Sequence, residues 1–187
     1  MERKIITAQN FYEILQNREK TIKSEVISFA PTVNKILPPR TIDDYEVLED
    51  VVIETIGNLY VSTTFCNCVF KGKFTLKGAE DIISENLTFI DCEFESEVKL
   101  VTKSTLEITG GKSFDRLSIN TTKSIKIDSI TSCSTLNIHS EGERIEILNL
   151  LNENKKNRLI LSGVNKALII EHSFFDTISL SNYEVTR

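Results

Sequence analysis

The 187-residue chain has few of the features that tie a sequence to a chemistry or a compartment. No segment approaches the ~20 consecutive apolar residues of a membrane span. The first residues, Met1-Glu2-Arg3-Lys4-Ile5-Ile6-Thr7, contain no apolar stretch of the signal-peptide kind. The expectation is a cytoplasmic protein with no membrane partner. Basic runs are also missing, and 22 basic against 27 acidic residues leave a net charge of −5. Nucleic acid is therefore not an expected partner, since phosphate neutralisation needs a concentrated basic face. The two histidines, His139 and His172, stand far apart, outside any metal-ligand spacing and away from an obvious nucleophile. Each is expected to be solvated or locally hydrogen-bonded. Of the four cysteines, Cys66 and Cys68 form a close pair, but no second pair or nearby histidine completes four zinc ligands. In a reducing compartment the cysteines should stay free and act as small hydrophobes. Neither a metal nor a cofactor is expected. Asn86-Leu87-Thr88 and Asn120-Thr121-Thr122 match the glycosylation acceptor pattern, which has meaning only in a secreted protein.

What the chain does have is a repeat. Leu87, Phe89, Cys92, Phe94, Val98 and Leu100 recur nineteen residues later as Leu106, Ile108, Gly111, Ser113, Leu117 and Ile119. Nineteen further on stand Ile125, Ile127, Ile130, Ser132, Leu136 and Ile138, and twenty-four back stand Thr63, Phe65, Cys68, Phe70, Phe74 and Leu76. Small insertions then give Ile145, Ile147, Leu150, Leu159 and Leu161, followed by Leu168, Ile170, Ser173, Phe175, Ile178 and Leu180. Anchors alternate with polar residues at period two, as strands require, and their spacing gives three faces per turn. The pattern predicts an all-β chain, a single three-sided parallel β-helix of about 19–24 residues per turn. Phe70 and Phe94 should stack, as should Cys68 and Cys92. The polar segments 102–104, 121–123 and 140–143 should be corners, and 152–157 a projecting loop.

Residues 1–44 do not follow the repeat and are expected to form a cap, with the β-helix over 45–187. Asn10 with Glu13 gives a capping-box-like start, and Phe11, Ile14, Leu15 and Ile22 follow helical spacing. A helix over about 10–23, packed across the first turn, would shield an edge that otherwise templates aggregation. Leu37-Pro38-Pro39-Arg40 cannot continue it.

The segments Cys68-Val69-Phe70-Lys71-Gly72 and Cys92-Glu93-Phe94-Glu95-Ser96 resemble pentapeptide-repeat units, with a small inward residue two positions before a large apolar one. The resemblance implies a similar right-handed winding. Five-residue steps are not continuous here, and that family's alanine–aspartate/asparagine–leucine unit is nearly absent. The three-sided, nineteen-residue turn is also similar to that of the polymer-forming bactofilins, without their glycine usage. Both resemblances span about 63–180, are structural, and carry over no functional residue.

Chemistry is sparse. Gly110-Gly111-Lys112-Ser113 ends like a phosphate-binding loop, but Leu106 stands where that motif needs its first glycine, and the segment lies on strands instead of opening a helix. Thr88, Glu107, Lys126, Glu146 and Ile169 form an outward column of the sort that polysaccharide-degrading β-helices equip with carboxylates. Alternating signs make a stabilising ladder the simpler reading. Outward positions that are polar in the middle turns become apolar in the last two, at Leu151, Ile160, Ile169 and Phe174. Such a patch suggests an interface in the C-terminal turns, with a protein partner or a second copy, unless the chain's own loop or tail covers it. The expected function is non-catalytic protein binding, of the inhibitor or immunity-protein type. The alternatives are a self-assembling structural module and, third, a carbohydrate-active enzyme.

Overall fold

The structure, a computed structural model, describes residues 3–16, 40–53, 62–77, 86–112, 114–150 and 156–186. The chain opens with β1 (Lys4–Ile6) and α1 (Ala8–Gln16), followed by β2 (Arg40–Asp43), β3 (Tyr45–Val47) and β4 (Val51–Ile53). Two turns follow with β5 (Thr63–Cys66), β6 (Val69–Phe70), β7 (Phe74–Lys77), β8 (Asn86–Ile90), β9 (Glu93–Phe94) and β10 (Val98–Thr102). Later turns hold β11 (Thr105–Thr109), β12 (Phe114–Thr121), β13 (Ile125–Asp128), β14 (Cys133–Ser140), β15 (Arg144–Leu148), β16 (Arg158–Asn165), β17 (Ala167–Glu171) and β18 (Thr177–Val185).

These strands wind into a β-solenoid of about six turns with three parallel sheets. Sheet I runs β2-β5-β8-β11-β13-β15-β17, sheet III runs β4-β7-β10-β12-β14-β16-β18, and the short sheet II runs β1-β3-β6-β9. The register repeats the apolar columns read from the sequence. Ile42, Phe65, Phe89, Ile108, Ile127, Ile147 and Ile170 pair in succession along sheet I. Ile53, Leu76, Leu100, Ile119, Ile138, Leu161 and Leu180 do the same along sheet III.

Two kinds of corner make this winding possible. After each strand of sheet I comes a residue with left-handed backbone: Asp44, Asn67, Asp91, Gly110 (with Gly111 beside it), Ser129, Asn149, then His172. Most are types whose short polar side chains tolerate that region. From Asp44 to Asn149, each of their N–H groups donates to a carbonyl at the end of the next strand of sheet I, at 2.9–3.1 Å. After sheet III the corner turns on buried hydroxyls. Thr102 Oγ1 accepts from Ser104 N, Thr121 Oγ1 from Lys123 N, and Ser140 Oγ from Gly142 N. The polar segments thus do form corners, with their first residue tucked inside. Gly163 (φ 103°) has no room for a side chain, because a Cβ there would lie 2.1 Å from the Ser140 carbonyl oxygen.

The core changes character along the axis. Its first half is aromatic: Phe70 and Phe94 stack with ring centroids 5.1 Å apart, Phe65 and Phe89 stack at 5.0 Å, and Phe74 meets all four. From Leu106 to Leu161 it is isoleucine and leucine apart from Cys133. Cys68 and Cys92 are buried in register, each Sγ 3.4 Å from a carbonyl oxygen of the preceding turn. Ser173 Oγ occupies the same place in the last turn. None of the four cysteines forms a disulfide.

The N-terminal segment departs from expectation at two points. Helix α1 begins at Ala8 instead of about 10, because Thr7 is its N-cap: Thr7 Oγ1 accepts from Asn10 N, and Ala8 N donates to Glu49 Oε2. The expected helical residues beyond Gln16, including Ile22, lie outside the described residues. Strands also begin earlier than about 45. β1 supplies the edge of sheet II beside β3, and β2 the edge of sheet I beside β5. As expected, the helix packs on the first turn. Phe11 and Leu15 are fully buried, Phe11 meets Phe65 and Phe70, and the edge amide of Val52 donates to Tyr12 Oη.

Candidate functional site

The two ends of the solenoid contrast. At the first turn, Ile42, Val47, Val51 and Ile53 are buried beneath α1 and β1. At the last turn, the same columns end in Ile178 and Leu180, which are 54% and 61% exposed, although Leu159 and Leu161 one rung below are at 0%. Leu168, Ile170, Phe175 and Tyr183 pack on the core from one side only. Among the described residues, nothing lies over this end. The inward side chains of the last turn therefore form an apolar end face. β17 and β18 border it, each paired with a neighbour on only one side.

The four residues picked from the sequence relate to this face unevenly. Phe174 is exposed at the corner just before Phe175. Ile160 points outward from sheet III between Asn137 and Ser179, and Ile169 points outward from sheet I beside Glu146. Both are half-buried, and they stand on different sheets, so the structure does not join them into one patch. Leu151 lies outside the described residues. Sequence reasoning missed Ile178 and Leu180 as surface residues because it placed them in the core columns. The residues themselves carry no signal of it, since they are as apolar as the buried Leu159 and Leu161 they pair with.

Elsewhere, polar groups bond mostly to one another. In the outward column of sheet I, Lys126 Nζ lies 3.0 Å from Glu107 Oε1, and Glu146 pairs with Arg144. The bond to Glu107 raises the Lys126 pKa. On sheet III, His139 Nδ1 lies 3.0 Å from Ser162 Oγ, and its Nε2 lies 4.0 Å from Glu141 Oε1. This group sits on an exposed sheet and reads as a cross-strand contact. A groove of about 440 Å³ follows the left-handed corners where sheet II ends, lined by Arg3, Asn67, Glu93, Gly111, Lys112 and Thr131. Arg3 is already engaged there, by Asn67 O at 3.1 Å, Asn67 Oδ1 at 2.7 Å and Glu93 Oε1 at 3.4 Å. Residues 110–112 of the phosphate-loop-like segment lie along it, with Gly110 and Gly111 at the corner and the Lys112 backbone paired with that of Glu93 as an isolated parallel β-bridge.

Among the described residues, no group of three or more His, Cys, Asp or Glu is placed to hold a metal ion, and no helix is long and apolar enough to cross a membrane. Burial pushes the Cys133 thiol up to about 12, and the contact with Cys68, together with burial, pushes the Cys92 thiol up. Two buried polar atoms, Asn157 Oδ1 and Tyr183 Oη, have no hydrogen-bond partner, and both belong to the last two turns. No family model, curated protein or solved structure matches the chain.

Proposed function

We propose that this chain is a non-catalytic protein-binding solenoid whose binding surface is its C-terminal end. The observation that carries the reading is the contrast of ends, with matching columns buried under α1 at one and half or more exposed at Ile178 and Leu180 at the other. Contiguous apolar surface of this kind, rimmed by the polar residues Glu171, Asp176 and Glu184, marks an interaction site. The outward carboxylates support the same reading against a carbohydrate-active enzyme, because Glu107 and Glu146 are neutralised by neighbouring cations. A small acidic solenoid in the cytoplasm, acting by covering a partner's surface, fits an inhibitor or immunity-type role.

The test uses purified chain as bait, with Ile178→Lys/Leu180→Lys at the end face and Ile160→Lys/Ile169→Lys on the side faces. Loss of a defined partner with the first pair and its retention with the second is the expected result. Equal retention by both variants would move the binding surface elsewhere.

A further inference from the structure

We propose that the occupant of the C-terminal end is a second copy of this chain, joined tail to tail about a two-fold axis. The inference rests on reading that end as a binding surface, and four observations select the occupant. The first is area: Ile178, Leu180 and Val185, at 54, 61 and 48% exposure, leave roughly 300 Å² uncovered. The half-buried Leu168, Ile170, Phe175 and Tyr183 bring the face near the roughly 500 Å² per partner that a small specific interface must clear.

The second is composition. The inward residues of the last turn carry no charge, so the face is complementary to itself without any opposite-charge partner. The third is the edge. β18 is nine residues long with one charged residue, Glu184, and it has neither the lysine nor the proline that usually protects an open edge. A two-fold axis lays two such edges antiparallel and in contact, an isologous and closed arrangement. The fourth is the opposite end. Phe11 and Leu15 fill the first turn, Tyr12 accepts from the β4 edge and β1 pairs with β3, so among the described residues the first turn shows no bare apolar face of the kind the last turn shows, and head-to-tail stacking is disfavoured.

The experiment is the mass in solution across a dilution series, by sedimentation or light scattering. The wild-type chain should run at twice 21.2 kDa and dissociate on dilution. Ile178→Lys/Leu180→Lys should run at 21.2 kDa with its melting curve retained. If that variant does not fold, cross-linking decides. With Cys66→Ser as background, Ser181→Cys on β18 should give a dimer with a short bifunctional maleimide, and Gln9→Cys on α1 should not. A wild-type mass of 21.2 kDa throughout overturns the proposal, as does a dimer that survives the double variant, or cross-linking at position 9. A monomer that still loses a separate protein partner in the double variant removes the second copy but leaves the binding-surface reading standing.

Discussion

Phe94 shows how much a single rung contributes. It stacks on Phe70 and meets Phe74 and Phe89 edge-on, fully buried. Truncation leaves a cavity walled by rings that are themselves interlocked, so Phe94→Ala should cost about 3–5 kcal/mol in denaturant unfolding. A loss below about 1 kcal/mol would place the side chain outside the core. Asp128 makes a different contribution. Its Oδ1 accepts from Asn149 Nδ2 and Ser129 Oγ, both at 2.9 Å, and these bonds hold its pKa below the usual 3.8. A depressed native pKa gives stability that is complete above the unfolded value and is lost as the pH falls through the native one. Asp128→Asn should therefore be less stable than wild type at pH 7, with the gap closing in acid below pH 3.8. A gap of constant size at every pH would show that the charge of Asp128 contributes nothing.

Among the elements, α1 is the one that differs most from the repeat. Its burial rests on Phe11 and Leu15, and its start on Thr7. Thr7→Ala removes the acceptor for Asn10 N and should lower stability by about 1 kcal/mol, read as a shift in the denaturant midpoint. An unchanged midpoint would assign the cap to the Glu49 contact alone. The existence of this helix and its buried face were legible from the spacing of Phe11, Ile14 and Leu15. Its first residue was not. Thr7 and Asn10 are both good capping types, and the same apolar face fits either start. The strands were legible to the register, because the nineteen- and twenty-four-residue steps recur unchanged in the paired residues. The left-handed corner after sheet I was not, since Asp, Asn, Ser, Gly and His share a backbone conformation there without sharing a residue type.

At the scale of the molecule, each turn contacts only its neighbours, so stability is set locally along the axis. The end with α1 above it and an aromatic core should exchange backbone amides slowest. β17 and β18, with open edges and the unpaired Tyr183 hydroxyl, should exchange fastest in dilute protein. Amide exchange by mass spectrometry checks this, and uniform protection from β5 to β18 would refute it. The end face was only half legible beforehand. The sequence carries the repeat through 145–185, and Ile178 and Leu180 are as apolar as the buried Leu159 and Leu161 one turn earlier. Among the described residues no rung lies above them, and this leaves them exposed. The parallel register also has a mechanical meaning. Its interstrand hydrogen bonds lie along the solenoid axis, so tension applied there loads one turn at a time instead of shearing a whole sheet. Pulled from β18, the chain should unzip in discrete events, each releasing roughly 65 to 80 Å of contour for turns of 19 to 24 residues, so that the spacing of the steps reads back the repeat.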